Sequence, residues 1–286
     1  MVPSLGKEEK IEICSKILLS SPPGELNDVF NSIRGIINDD DLLKNECAPA
    51  VAQYNLDNFH QIKQDLQNPT LITKYNYLGN GRFLEPQSNV TFKFDHIRRE
   101  ISDISPADKP SYGEDLNKWR KVVQTELNKY IEKSYKNSGV GVVFVNEGQL
   151  VACIESHQFR PKSYWNGRMK SCWVIPQYDS KNNSLEFSGS VKLDTHYFED
   201  GNVQLKMNQV YKPKVTASNI GGMAIEVIKA IGKAEDSYQA TIQETYMAQI
   251  EDVFKQLRRS LPITKTKFDW NKTHTYKIAQ DMAPSL

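Results

Sequence analysis

The sequence predicts an α+β protein: an N-terminal helical bundle, an antiparallel sheet of five strands, and a long helix that crosses it. Three observations predict this. Apolar residues recur at helical spacing through positions 1–57, β-rich runs separated by turn tetrapeptides fill roughly 140–215, and one helical stripe runs from Asn219 to about Ser260.

The first helix carries Ile11, Cys14, Ile17 and Leu18 on one face. Pro22-Pro23-Gly24 then breaks the chain, because adjacent prolines remove donors and restrict the residue before each. The second helix follows the helical period through Leu26, Val29, Phe30, Ile33, Ile36 and Ile37. The acidic run Asp39–Asp41 ends it and caps a third helix carrying Leu43, Cys47, Ala50, Val51 and Tyr54. Three short antiparallel helices of this kind make a bundle. From Asn58 to Pro110 the signals are mixed: Gly79-Asn80-Gly81 marks a turn, and Val90, Phe92 and Phe94 alternate with polar residues as in a strand. Ser105–Gly113 reads as a surface loop. A helix follows with Leu116, Trp119, Val122, Val123, Leu127, Tyr130 and Ile131.

The β region starts with Val140–Val145 and Leu150–Ile154, joined by the hairpin signal Asn146-Glu147-Gly148-Gln149. Further strands are expected over Met169–Ile175, Leu185–Phe198 and Val203–Met207, the last two joined by Glu199-Asp200-Gly201-Asn202. Consecutive hairpins give a five-stranded meander. The helix after Asn219 shows Ile225, Ile228, Ile231, Tyr238, Ile242, Tyr246, Ile250, Phe254 and Leu257 on its apolar side. Some 40 helical residues span about 60 Å, while five strands make a sheet roughly 20 Å wide. The overhang points to a second subunit that extends the sheet. Pro262 stops the helix and leaves the segment after it with no core to join.

Bulk properties narrow the function. The chain has 286 residues and a formal charge of +1, so any electrostatic role rests on local clustering. Cys14, Cys47, Cys153 and Cys172 are widely spaced, with no C-x-x-C pair, which fits a reducing compartment. No signal peptide and no membrane span are expected, and the cytosol is the expected location. Glu155, Ser156 and His157 invite a hydrolase reading, but there is no nucleophile elbow, and a strand end held by hydrogen bonds is the better one. His196, Glu199 and Asp200 surround a turn and are not expected to hold a metal. Gly79-x-Gly81 lacks the Lys-Ser/Thr of a phosphate loop, and Asp39–Asp41 lacks the spacing of a calcium loop. The sequence therefore predicts a binding protein, not an enzyme, with no cofactor and no metal.

The basic C-terminal segment stands apart. Lys255, Arg258, Arg259, Lys265, Lys267, Lys272 and Lys277 face the single acid Asp269, seven cations in a chain of net +1. A helix C-terminus accounts for Arg258 and Arg259 through the dipole. It does not account for the lysines beyond Pro262 or for Trp270 among them, which point to a binding surface.

The run Phe254-Lys255-Gln256-Leu257-Arg258-Arg259-Ser260-Leu261-Pro262-Ile263-Thr264-Lys265-Thr266-Lys267 resembles the C-terminal signature of the F-actin capping protein alpha subunit family. His196-Tyr197-Phe198-Glu199-Asp200-Gly201-Asn202-Val203 is similar to the family's second signature. Further similarities run through Pro22-Pro23-Gly24-Glu25, Phe92–His96, Ala152–Phe159 and Trp165-Asn166-Gly167-Arg168, so the resemblance spans nearly the whole chain. It implies a helical stalk over 1–57, a small β globule over 58–110, a dimer core over 111–260 and a projecting amphipathic tentacle over 261–286. It also implies an obligate heterodimer with a beta subunit, which caps the barbed end of actin filaments without calcium. Phosphoinositides and protein regulators would act as inhibitors, and the location would be the cytoplasm and cytoskeleton. The implied basic actin contacts are Lys255, Arg259, Lys265 and Lys267, with Arg258 beside them. Trp270 and Ile278 lie on the tentacle's apolar stripe.

One departure from the family's pattern is Thr273-His274, where aliphatic residues are usual. Trp270, His274, Ile278 and Met282 fall at successive i+4 steps, so His274 sits inside the apolar stripe and is expected to weaken its grip when protonated. The alternative reading is a phosphoinositide-binding scaffold on a membrane surface. A nucleic-acid partner is not expected, because the segment lacks the aromatic interleaving of a stacking platform.

Overall fold

A computed structural model describes residues 6–248, apart from 65, 109–111, 137, 180–182, 200 and 201; of 245–248 it describes the backbone. The chain divides into two units, Met1–Glu235 and Asp236–Leu286. In the second, the described part is the continuation of a helix through Ala248.

The N-terminal helices form as their apolar spacing requires. Helix α1 (Lys7–Leu19) buries Cys14 and Leu18, and α2 (Leu26–Ile37) buries Leu26 and Ile33. Ile17 and Ile36 are on the periodic stripes but stay 44% and 84% exposed, because the neighbouring helices cover only the centre of each stripe. The third helix is not continuous from the acidic run. Asp39 Oδ1 accepts from the Leu42 amide at 3.0 Å, and a π-helical turn follows at Leu42–Glu46, closed by Cys47 N–H to Leu42 O at 3.1 Å. Helix α3 (Ala48–Asp57) then restarts. Pro49 explains the break, since it has no N–H to donate back and fits only the first turn of a helix. The three helices share one core of Cys14, Leu18, Leu43, Cys47, Val51 and Tyr54 with α2's Leu26 and Ile33.

A two-stranded ribbon, β1 (His60–Ile62) and β2 (Thr70–Ile72), leads into an antiparallel sheet of β3 (Tyr77–Gly79), β4 (Arg82–Glu85), β5 (Val90–Asp95) and β6 (Glu100–Pro106), paired in that order. Gly79, Asn80 and Gly81 all have positive φ, as the expected turn demands. Phe83, Phe92 and Phe94 form its buried face. The strand β6 takes up Ser105 and Pro106, which the loop signal had claimed.

Helix α4 (Glu114–Tyr135) buries Leu116, Trp119, Val123, Leu127 and Ile131. It packs on a five-stranded meander of β7 (Gly139–Asn146), β8 (Gln149–Arg160), β9 (Trp165–Ile175), β11 (Ser188–Tyr197) and β12 (Val203–Tyr211), with sheet order β12-β11-β9-β8-β7. The expected meander is present, and its hairpin at Glu147-Gly148 has positive φ at both residues. The stretch Leu185–Phe198 is not one strand. Ser184–Glu186 (β10) leaves to pair with β13 (Lys214–Thr216), and Phe187 donates its N–H to Pro213 O at 3.1 Å.

Where β11 starts, Gly189 lies under the fully buried Trp173 ring. A Cβ there would sit 2.7 Å from the Cys172 carbonyl oxygen and would overlap the indole, and neither neighbour can move. We expect Gly189→Ala to cost about 3 kcal/mol, the upper end of overpacking. Chemical denaturation of the purified protein measures this, and a cost below about 1 kcal/mol would show that the sheet yields.

Helix α5 (Ile220–Ala248) starts at Asn219, whose Oδ1 accepts from the Gly222 amide at 2.7 Å. Its first half buries Met223, Ala224, Val227, Ile228, Ile231 and Ala234, whereas Ile225 is exposed. Residues 249–260, the expected rest of this helix, lie outside the described residues.

Candidate functional site

Lys255, Arg258, Arg259, Lys265, Lys267, Trp270 and Ile278, with Thr273 and His274, all lie outside the described residues. Asp200 and Gly201 of the second signature lie outside them too. The described residues of the motifs at 22–25, 152–159, 165–168 and 196–203 are brought together by the fold. They meet where the N-terminal helices rest on one face of the five-stranded sheet.

Period-two alternation puts Glu155, His157 and Phe159 of β8 on that face, beside Asn166, Arg168 and Lys170 of β9 and His196 of β11. From the helices, Glu25 reaches in to accept from Asn166 Nδ2 at 2.8 Å and to meet His196 Nδ1 at 2.6 Å. His196 Nε2 lies 3.0 Å from Asn202 Oδ1, so the second signature closes on itself through this ring. Gly24 has φ +80, and a Cβ on it would fall 2.8 Å from Phe159 Cγ. Only glycine satisfies both the backbone and the contact. Tyr54 donates its hydroxyl to Pro22 O at 3.1 Å.

Below this, the buried Glu155 carboxylate accepts from Arg168 Nε at 3.2 Å and sits 3.1 Å from His157 Nδ1. Arg168 is itself buried, against the rings of Tyr54 and Phe159. Lys170 donates to Asp57 O at 2.7 Å and Asn58 Oδ1 at 2.9 Å, and burial pulls its ammonium down to about 8. A polar face buried in this way is stable only because nearly every group on it is paired.

The geometry disposes of the catalytic readings. Ser156 points to the opposite face from Glu155 and His157, and its Oγ lies 3.0 Å from Ser138 Oγ. His196 and Glu199 part company, since Glu199 accepts from Tyr197 Oη at 2.6 Å. Among the described residues no group of three His, Cys, Asp or Glu side chains can hold a metal ion. No described helix is long and apolar enough to cross a membrane.

On the sheet's other face, Glu235 is buried and accepts from Tyr130 Oη at 2.6 Å, Tyr135 Oη at 2.5 Å and Ser171 Oγ at 2.6 Å. This node ties α5 to α4 and β9. Its signal in the sequence is an acid at the 3–4 spacing of Ile228, Ile231 and Tyr238, a charge inside an apolar stripe.

The two edges of the sheet differ. At β7, Gln124 from α4 donates to Gly141 O at 3.1 Å and accepts from the Val143 amide at 2.7 Å, so a side chain occupies the middle of the outer edge. At β12 no described residue pairs the outer edge, and Val203 and Val210 are 61% and 63% exposed. An open edge nine residues long is a template for another strand.

His60 lies at the base of the junction, pushed down to about 3, first by burial and then by the charges of Arg99 and Arg168. Its folded value is below the ordinary 6.5, so the unfolded chain binds the extra proton. Its contribution is present above pH 6.5 and is lost as pH falls from 6.5 toward 3. We expect the thermal midpoint to fall over that window, and His60→Phe, which keeps the ring beside Phe94, to flatten the fall. Equal slopes for parent and variant between pH 6.5 and 4.5 would rule this out.

Comparison with known proteins gives one answer. The F-actin capping protein alpha subunit family matches residues 14–281. The F-actin-capping protein subunit alpha of Caenorhabditis elegans is 46% identical over 281 residues, covering 97% of this chain and 99% of that protein. The protein of the same name from Dictyostelium discoideum is 30% identical over 283 residues, covering 97% and 99%. Among solved structures, the homodimeric actin capping protein alpha subunit from Plasmodium berghei superposes with a TM-score of 0.73 at 18% identity, over 98% of each chain.

Proposed function

The chain belongs to the F-actin capping protein alpha subunit family, and we propose that it serves as one half of a heterodimer that caps the barbed end of actin filaments. The family is one of actin-capping subunits and not of enzymes, and no step of catalysis is needed. The observation that carries the reading is the family match over nearly the whole chain, including the basic C-terminal segment.

The open β12 edge supports the partner. A beta subunit that adds its own strand there would pair the outward-facing backbone groups of this nine-residue strand and cover Val203 and Val210. At the β7 edge the Gln124 side chain already takes two of the backbone groups a partner strand would use. Lys255, Arg258, Arg259, Lys265 and Lys267 are the basic contacts to actin, and Trp270 and Ile278 the apolar ones. Subunit addition and loss are blocked by occupation of the end, without calcium. Polyanionic phosphoinositide headgroups and protein regulators compete for the same cations, and the complex works in the cytoplasm on the cytoskeleton.

The test is co-expression with a beta subunit, followed by elongation from filament seeds. Growth from barbed ends stops at saturating heterodimer if the reading is right. Growth that continues, or liposome binding by this chain with no partner subunit and no effect on filaments, replaces it with a membrane scaffold.

A further inference from the structure

A cavity of about 410 Å³ opens between α3, β1, the β5–β6 turn and β8, within the size range of small-ligand sites. Three cations line it, Lys63, Arg99 and Arg168, against the one carboxylate of Glu155 among its described lining residues. That carboxylate is already engaged by Arg168 and His157.

Arg99 is the odd member. Its Nε is buried with no hydrogen-bond partner, and its backbone is held at φ +59, a costly conformation for a bulky residue. Burial is the main cause that disfavours its charge; Tyr54 offsets part of this, and Arg168 adds repulsion. A guanidinium left this way is expensive unless an anion joins it. Beside it, Gln61 Nε2 is fixed on the carbonyls of Ser138 at 3.1 Å and Glu155 at 2.8 Å. Those two acceptors settle its amide orientation and leave Oε1 buried without a donor. Asn55 and Asn58 add further polar lining.

We infer that this cavity binds a small, water-soluble dianion of the phosphate monoester class, gripped by Arg99 and Arg168, with Gln61 in the wall beside them. Two arginines suit the charge of such a group, and their forks suit its tetrahedral oxygens. The site uses none of the C-terminal cations, so it stands or falls separately from the capping reading.

Calorimetry and thermal unfolding of the full chain, in its purified assembly, test this with inorganic phosphate and glycerol 3-phosphate as probes. Sodium chloride at matched ionic strength is the control. A saturable heat for one site per chain is expected, together with a rise in thermal midpoint that chloride does not give. Arg99→Gln is expected to weaken binding at least tenfold. Gln61→Glu, which adds a negative charge to the cavity wall, is expected to abolish it and serves if Arg99→Gln does not fold. In the bound state the His60 imidazole titrates at higher pH by NMR, because a dianion offsets the two arginines. No saturable heat with either probe, or affinity unchanged in a folded variant of either residue, overturns the proposal.

Discussion

Glu155→Ala will lower the thermal midpoint by on the order of 10 °C, the largest stability effect expected from a single change on the described surface between helices and sheet. The carboxylate is buried beside a buried guanidinium, and deleting it leaves Arg168 inside the protein with the Tyr54 hydroxyl, at 3.5 Å, as its remaining hydrogen-bond partner among the described residues. Removing one partner of such a pair costs about 3–5 kcal/mol, most of it the desolvation of the charge left behind. The control is the double variant Glu155→Leu with Arg168→Met. It removes both charges and should recover much of the loss, since a buried pair contributes little net stability over apolar groups of similar size. A double variant as unstable as Glu155→Ala would mean that the two side chains matter for shape and not for charge. A midpoint within about 2 °C of the parent would mean that water reaches Arg168.

The same residues show what the sequence discloses and what it hides. Local rules were enough for the hairpins: the turn at Asn146–Gln149 in the meander has positive φ at Glu147 and Gly148, and the turn at Gly79–Gly81 in the four-stranded sheet has it at all three residues. They were enough to put Glu155 and His157 on one face. They did not show that Arg168, Tyr54, Glu25 and His196 come to the same place, because Glu25 and His196 are 171 positions apart and no local period encodes such a pair. What the sequence read as a plain strand end is half of a buried polar junction.

Helical periodicity failed in a different way. It placed Ile17, Ile36 and Ile225 on apolar stripes, and the structure leaves them exposed, since a stripe says which face is apolar and not how wide a neighbour covers it. Phe187 and Gly189 were hidden inside a single β-rich run, which shows neither that Ser184–Glu186 pairs with β13 nor that Trp173 fills the space a side chain at 189 would need. The predicted contact residues follow another logic. Lys255, Arg259, Lys265 and Lys267 were found by charge count and signature, and their interaction with actin depends on a partner surface that this chain's own fold does not contain.

Those four cations carry the largest expected effect on function. Replacing Lys255, Arg259, Lys265 and Lys267 together with Gln will weaken barbed-end capping by at most roughly a thousandfold. Exposed ion pairs contribute about 0.2–1 kcal/mol each, so four give no more than about 4 kcal/mol, whereas nanomolar binding needs about 12. The rest must come from desolvated apolar contacts, such as Trp270 and Ile278, and from the partner subunit as a second site linked to the first. Two consequences separate this from a single dominant contact. The association rate should fall more than the dissociation rate rises, because rim charges steer encounter. The difference between parent and variant should also shrink as salt is raised from 50 to about 300 mM, since screening removes the same term that the substitutions remove. Seeded elongation at several salt concentrations measures both. A loss well beyond a thousandfold would mean that the cations are buried at the actin surface, and an unchanged affinity would move the grip to the apolar stripe alone.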